Sequence, residues 1–307
     1  MSAAPPTADQ NAALARGVTL FSVLTALTLV LVKFGIWLAS GSVALMASMA
    51  DSGLDLVASS ATFFAVRYAA VPPDAEHRYG HGKAEAFASL IQAGLVFGSA
   101  ALIGEEAIRR LFNPKPIAEE TWALAAMALS IILTAGLILA QTRLLRRTNS
   151  VAVSADRTHY AADLASNIIA LIGVAATTLL GVASLDAVSA LVIGAILLWG
   201  AVSVFRDASD QLLDRELPDD SRTRIVDLVL EDPAIRDVHQ VRTRASGPIT
   251  HVQMHADLDP DLSLVAAHAL LVAAERRILA AFPTADIIIH ANPRGRAEPH
   301  GGPFGEA

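Results

Sequence analysis

The stretch M46ASMADSGLDLVASS60 decides the fold, because it places two carboxylates inside an apolar run that extends from Ala44 to Phe64. Asp51 and Asp55 are four residues apart, so on a helix they project from one face, one turn apart. The run is long enough to span a bilayer, where an aspartate is costly unless it is paired or coordinates an ion. The stretch therefore predicts a membrane helix that carries a polar site.

A second pair repeats this spacing in D156RTHYAADLASNIIALIGV174, where His159 and Asp163 again lead into an apolar run. The two pairs together supply three carboxylates and one imidazole, which is a full tetrahedral shell for a divalent cation such as Zn(II). We call these four residues the membrane quartet. The alternative is that they are buried hydrogen-bonding groups at helix contacts, and two such pairs at one membrane depth favour a cation or a proton instead.

Composition sets the broad class of protein. With 53% hydrophobic residues, 17% charged residues and a mean hydropathy of +0.48, the chain is too apolar for a soluble protein. It contains no cysteine, which excludes disulfides and thiolate metal sites and makes Cu(I) a poor candidate. Residues 1–206 carry 13 acidic and 13 basic residues, so the net charge of −7 belongs to residues 207–307. This acidic region favours solubility, and cation gathering is the alternative.

We expect an α-helical membrane protein with six transmembrane helices and a C-terminal cytoplasmic α+β domain. The predicted regions are a disordered segment 1–15, a membrane domain 16–206, a cytoplasmic domain 207–293 and a disordered tail 294–307. The predicted spans are Gly17–Ala39, Val43–Ala65, Glu85–Ile108, Thr121–Ala140, Ser150–Leu180 and Leu185–Phe205.

The loops between these spans predict the orientation. Six Lys and Arg residues lie in the second–third and fourth–fifth connections, against three in the other connections. Because cytoplasmic loops are enriched in these residues, we expect both termini inside. Asp55 then lies roughly 18 Å below the outer end of its helix and His159 roughly 14 Å above the inner end of its own, at about 1.5 Å per residue. Both pairs thus fall near the middle of the bilayer.

The cytoplasmic domain alternates helical and strand-like segments. Pro218–Glu231 reads as an amphipathic helix and Ser263–Phe282 as a second helix. Two strand-like runs flank the turn signal Ser246-Gly247-Pro248, and a short apolar strand covers Asp286–His290. This order predicts a compact unit of ferredoxin-like, metallochaperone-like character.

Two further groups of residues have the chemistry of metal ligands. Asp74, His77 and His81 lie within one short loop and could hold a divalent ion, although a solvated polar loop is the alternative. Four histidines of the cytoplasmic domain lie on separate elements that a compact fold could bring together, and scattered surface histidines are the alternative. They are His239, His255, His268 and His290.

Beyond these individual patterns, the chain resembles the cation diffusion facilitator family, in its bacterial zinc and ferrous-iron efflux branch, from the first span to Pro293. The motifs that carry the resemblance are D51SGLD55, H77RYGHGKAE85, H159YAAD163, L213DRELP218, V238HQVRTRASGP248, V252QMH255, A267H268 and I288IH290. The resemblance implies that the membrane quartet is the transport site and that Asp74, His77 and His81 form a loop site. It also implies that the four cytoplasmic histidines bind metal.

Two further positions follow from the same resemblance. Lys83 and Asp214 match positions that, in the family, form charge pairs where the membrane and soluble halves of a homodimer meet. Asn292 departs from the pattern, because the zinc exporters that the chain resembles carry an aspartate there. A neutral amide oxygen is a weaker ligand than a carboxylate, so we expect a weaker cytoplasmic metal centre.

The expected function is proton-coupled export of a divalent metal, Zn(II) first and Cd(II) or Fe(II) next, by a homodimer in the cytoplasmic (inner) membrane. The expected partners are metal ions, protons, the lipid bilayer and a second copy of the chain, without nucleic acid. We expect no enzymatic activity and no catalytic cofactor, with Zn(II) as substrate and as a structural or regulatory ion. The alternatives are a membrane-anchored metal sensor and an intramembrane metalloenzyme, which the absence of an HExxH motif disfavours.

Overall fold

The computed structural model describes residues 8–40, 43–112, 121–146, 150–180 and 184–295. They form two compact units, of which one comprises Asp9–Ser209 and the other begins at Asp210. The helices and strands, in chain order, are α1 Ala8–Ser40, α2 Val43–Ala69, α3 Ala84–Phe112, α4 Thr121–Leu145, α5 Val151–Leu180, α6 Ser184–Leu212, α7 Asp219–Leu230, β1 Asp237–Ser246, β2 Ile249–Leu258, α8 Leu264–Ala281 and β3 Ala285–Pro293.

The N-terminal end of the first helix differs from the expectation. Helix α1 begins at Ala8, within the segment 1–15 for which the sequence predicts disorder. Its first two turns are rich in alanine, the strongest helix former, and they continue without a break into the apolar run. The rest of the predicted disorder, at residues 1–7 and 296–307, lies outside the described residues.

The first unit is a bundle of long helices whose outer surface is apolar and whose interior contains buried polar side chains. Leu102, Ile132 and Trp199 are at least two-thirds exposed, whereas Gln92 and Gln141 are buried. This arrangement suits a protein in a bilayer, where apolar side chains face the lipid and polar groups in the interior pair with one another. Among the described residues, four stretches are long and apolar enough to cross a membrane: Ala13–Leu38, Ala84–Arg109, Met127–Leu145 and Ala190–Leu212.

Small side chains let these helices approach closely. One buried cluster joins α3, α5 and α6 through Ala100, Ala162 and Ala201, and another joins α1, α2, α4 and α5 around Ala15 and Ala152. Close packing of alanine is how helices associate in lipid, where burial of apolar surface supplies little drive. The α5 helix takes part in both clusters and therefore lies at the centre of the bundle.

The second unit has the predicted order of helix, hairpin, helix and strand. Its sheet has the order β1-β2-β3, with β1 and β2 antiparallel and β2 and β3 parallel. Gly247 turns the hairpin at a φ of +57°, which glycine adopts without steric cost. An α+β unit with a small sheet is therefore confirmed.

The two faces of this sheet differ in chemistry. Val252, Met254 and Ala256 of β2 are buried in a core with Ile225 of α7 and Ile278 of α8. Because side chains alternate along a strand, the odd-numbered residues of β2 point to the opposite face. His255 and Asp257 therefore lie on the face that the helices leave open.

Candidate metal centres

In the helical bundle, α2 and α5 bring together three members of the membrane quartet. Nε2 of His159 donates a hydrogen bond to Asp55 Oδ1 at 3.0 Å and lies 3.6 Å from Asp163 Oδ2. One ligand atom from each residue lies within 4.8 Å of the others, and we call these three residues the membrane cluster. The His159 and Asp55 side chains are 8% and 13% exposed, so the cluster lies in the interior of the bundle.

Asp51, the fourth member of the quartet, lies outside this group. Its residue is exposed in the single chain, one turn before Asp55 on α2. It interacts electrostatically with Asp55 and His159 and with a lysine of α1, Lys33. The two quartet residues of α5 and the second aspartate of α2 therefore meet, while Asp51 flanks them.

A buried carboxylate close to the cluster, Asp156, was not predicted as a site residue. Gln92 donates to its Oδ1 at 2.9 Å, Gln141 donates to its Oδ2 at 2.7 Å, and Ser59 donates to Oδ1 at 3.3 Å. Gln141 also reaches Ser22 on α1 at 3.2 Å, so the network joins α1, α2, α3, α4 and α5. Asp156 is fully buried. It precedes His159 by about one helical turn, so the network anchors the part of α5 that carries the imidazole.

Lys33 is the second residue that the sequence analysis missed. It is 9% exposed, and its Nζ donates to Ser52 Oγ of α2 at 2.7 Å. The signal that could have found both residues is the same one that found the quartet, an ionisable residue within a membrane-length apolar run. Their partners lie on other helices, so no spacing within one segment marks them.

The loop between α2 and α3 forms a second group, the loop cluster of Asp74, His77 and His81. Asp74 Oδ2 lies 3.3 Å from His81 Nε2, and Asp74 Oδ1 lies 3.5 Å from His77 Nδ1. His81 Nδ1 lies 3.3 Å from the carbonyl oxygen of Val71, and a hydrogen bond from Nδ1 leaves the Nε2 lone pair directed at the cluster. The three predicted loop residues are therefore brought together, with His81 buried and the other two exposed.

The backbone of this loop fixes the charge of Asp74. The main-chain N–H of His77 donates to Asp74 Oδ1 at 2.6 Å, and that of Glu76 donates to it at 2.9 Å. These bonds, that of His77 first, hold the pKa of the Asp74 carboxyl below its ordinary value. Asp74 is thus ionised at every pH at which a neutral imidazole is available to bind metal.

In the second unit, three predicted histidines form a row across the sheet. His239 pairs with His255 in register, and His255 pairs with His290, which places one histidine on each strand. The ring centroids of His239 and His255 are 5.4 Å apart, and those of His255 and His290 are 4.8 Å apart. A register shift between His239 and Arg242, with Gln240 at a φ of +50°, forms a bulge directly after the first histidine.

A second row on the same face consists of Asp237, Asp257 and Asn292. The Asn292 amide nitrogen lies 3.2 Å from His239 Nε2 and 3.3 Å from His255 Nδ1, so it donates to the histidine row. Asp237, His239 and Asp257 have one ligand atom each within 4.8 Å of the others, and we call them the sheet cluster. Its two carboxylates lie in register beside the Asn292 amide.

The remaining predicted residues lie elsewhere. His268 is exposed on α8, the helix that covers the other face of the sheet. Asp214 pairs with Arg244 at 3.1 Å within the second unit. Lys83 lies in the loop immediately before α3, in the first unit.

Comparison with known proteins accounts for nearly all of the chain. Residues 19–213 match the cation efflux transmembrane domain, and residues 217–294 match the cytoplasmic domain of cation efflux proteins, a dimerisation domain. The chain belongs to the cation efflux family. A cation-efflux pump FieF of Shewanella oneidensis is 41% identical over 272 residues, covering 89% of this chain and 92% of that protein. One of Cronobacter sakazakii is 38% identical over 274 residues, covering 89% and 91%.

These relatives are named as cation-efflux pumps, so the chain belongs with transporters rather than enzymes, and its several apolar helices are those of a multi-pass membrane protein. Among solved structures, the metal-bound C-terminal domain of the CzcD transporter from Thermotoga maritima is 28% identical. It covers 26% of this chain and 93% of its own, with a TM-score of 0.25.

Proposed function

We propose that this cation efflux protein is a proton-coupled antiporter that exports a divalent metal, Zn(II) first and Cd(II) or Fe(II) next, from the cytoplasm. It works as a homodimer in the cytoplasmic membrane by alternating access. The observation that carries this proposal is a single imidazole nitrogen, His159 Nε2, that lies close to the carboxylates of both Asp55 and Asp163 inside a helical bundle.

The distances support a small divalent ion. A tetrahedral zinc ion with ligands at about 2.0–2.2 Å separates its ligand atoms by roughly 3.3–3.6 Å. Nε2 of His159 lies 3.0 Å and 3.6 Å from the two carboxylate oxygens, so small movements suffice to admit the ion. Asp51, one turn from Asp55, is proposed as the fourth ligand.

Proton coupling follows from the chemistry of these ligands. An imidazole must be neutral and a carboxylate ionised to bind metal, so metal and protons compete for the same atoms. Metal from the cytoplasm displaces protons from the ligands. When the site opens to the other side, protons that enter there displace the metal.

For the topology we propose six spans with both termini inside. Helices α2 and α5 are long enough to cross a bilayer, and Asp55 of α2 pairs with His159 of α5 in the interior of the bundle. Two further metal sites complete the proposal: the loop cluster, and a regulatory site on the open face of the cytoplasmic sheet that uses His239, His255 and His290.

Zinc flux into liposomes that contain the purified protein tests the proposal. We expect uptake driven by a proton gradient and its loss when the gradient is collapsed with an ionophore. Metal binding without flux would favour a membrane-anchored sensor, and flux indifferent to the gradient would refute the antiport. Liposomes without protein give the leak.

A further inference from the structure

Lys33 lies in the α1 helix, within the apolar run that forms the first predicted span. It is 9% exposed, and its ammonium donates hydrogen bonds to Ser52 Oγ at 2.7 Å and to the carbonyl oxygen of Ser48 at 3.3 Å. Both acceptors belong to α2, on either side of Asp51 along the chain. The lysine therefore spans the gap between two helices and is fixed to the helix that carries half of the proposed transport site.

The charges around this ammonium are those of the membrane quartet. Lys33 interacts electrostatically with Asp51, Asp55 and Asp163, which are all three carboxylates of the proposed site. A lone lysine within a membrane helix is costly, as are three uncompensated carboxylates. Each group therefore reduces the cost of burying the other.

We propose that Lys33 is a tethered counter-ion that sets the charge of the transport site, an inference that rests on the proposed function. Three carboxylates and one ammonium sum to −2, with the imidazole neutral, and a bound divalent cation brings the site to zero. Without the ammonium the site would carry −3 and would keep a net charge of −1 with metal bound. In a medium of low dielectric constant, the extra negative charge holds the metal more tightly and slows its release.

The tether has its own consequence. In the part of the chain that the structure describes, Lys33 donates to two oxygens, the carbonyl of Ser48 and the hydroxyl of Ser52. These bonds hold the ammonium in a fixed position relative to the carboxylates. Loss of the Ser52 hydroxyl would free the ammonium to approach the carboxylates and compete with the metal. Removal of the charge and removal of the tether therefore change metal affinity in opposite directions.

Zinc flux in liposomes, analysed as KM and maximal rate, tests this inference. Lys33→Met removes the charge, and we expect KM and maximal rate both to fall, KM by about tenfold, a change that corresponds to the loss of one nearby charge. Ser52→Ala keeps the charge, and we expect KM to rise. Ser60→Ala is the matched control, because its hydroxyl bonds to Leu56 O of its own helix, and we expect no change.

A merely structural role for Lys33 predicts a different pattern, in which both substitutions weaken binding. An unchanged or raised KM for Lys33→Met in a folded protein overturns the proposal. If that variant does not fold, Ser52→Ala decides, and an unchanged or lowered KM overturns the proposal. Asp55→Ala separates this failure from failure of the proposed function, because full flux in that variant refutes the transport site itself.

Discussion

At the scale of single residues, the membrane cluster gives the most direct test of the proposed transport site. Asp55 accepts the hydrogen bond of His159 and is the nearest carboxylate to that imidazole. We expect Asp55→Ala to reduce proton-driven zinc flux to the level of empty liposomes while leaving a folded dimer, which size-exclusion chromatography checks. Flux equal to that of the unaltered protein would remove Asp55 from the site.

A companion substitution tests metal selectivity at the same cluster. His159→Asp replaces a nitrogen ligand by an oxygen ligand, and hard ions such as Mn(II) prefer oxygen. We expect manganese flux to appear and the ratio of zinc to manganese transport to fall. Measuring both ions in the same liposomes gives this ratio directly, and a ratio that stays constant would mean that His159 does not select the metal.

The loop cluster gives a pH prediction. Backbone hydrogen bonds lower the pKa of Asp74, so its carboxylate and the loop stability that depends on it are present above the ordinary pKa of about 3.9. That contribution is lost only as pH falls through the lowered value. Between pH 5 and 8 the Asp74 carboxylate should therefore stay ionised.

Asp74→Asn therefore should lower the affinity of the loop cluster by a constant factor across pH 5–8. The Asn oxygen can still accept the two backbone bonds, so the loop keeps its shape while the ligand charge is lost. Zinc titration of full-length protein that carries Asp55→Ala and His239→Ala in every sample isolates this site. Affinity curves that converge toward pH 5 would show that Asp74 titrates in this range.

Sequence reasoning finds residues whose partners lie on the same helix or loop. The spacing of four between His159 and Asp163 marks one helix face, and the loop cluster lies within eight residues. Asp156 and Lys33 have partners on other helices, so nothing in the local spacing distinguishes them from stray polar residues. Which carboxylates meet also depends on how two helices are aligned along their lengths, so Asp55 reaches His159 whereas Asp51, one turn earlier on α2, lies outside the cluster.

At the scale of elements, the centre of the bundle depends on Asp156. Asp156→Asn keeps the shape but replaces a carboxylate oxygen by an amide nitrogen, so one of the donors from Gln92 and Gln141 loses its acceptor. A buried donor left without a partner costs about 1–3 kcal/mol. We expect a lower melting temperature for the detergent-solubilised protein, and Ser60→Ala is the control on α2, because its hydroxyl bonds to Leu56 O of its own helix. An unchanged melting temperature would mean that the network contributes little to stability.

At the same scale, the cytoplasmic sheet determines which charged groups surround Asn292. Strand periodicity predicted the elements of this unit, because each side chain pattern is local. It did not predict that Asp237 and Asp257 lie in register with Asn292, since the pairing of β1 with β2 includes a bulge after His239 and the pairing of β2 with β3 is not fixed by either strand alone. These two carboxylates stand where they can offset the charge that Asn292 does not supply.

Calorimetric titration of residues 207–307 tests this compensation. We expect Asn292→Asp to raise zinc affinity or to add a second bound ion, because a carboxylate reduces the repulsion between two cations. Asp257→Asn should weaken binding in the natural sequence, where Asp257 belongs to the sheet cluster. Equal titrations for all three proteins would exclude both residues from the metal site.

At the scale of the whole molecule, the proposed homodimer needs its membrane and cytoplasmic parts held in register. The resemblance to the family assigns that role to Lys83 and Asp214, and neither spacing nor hydropathy could have suggested it, because they are far apart in sequence. Charge reversal at either residue should impair zinc flux, and Lys83→Asp with Asp214→Lys together should restore part of it.

The restoration should be incomplete because Asp214 also pairs with Arg244 at 3.1 Å, and a lysine at position 214 repels that guanidinium. Adding Arg244→Gln to the double variant removes this repulsion and should raise flux further. A double variant no better than the worse single variant, with and without Arg244→Gln, would show that the two charges do not act as a pair.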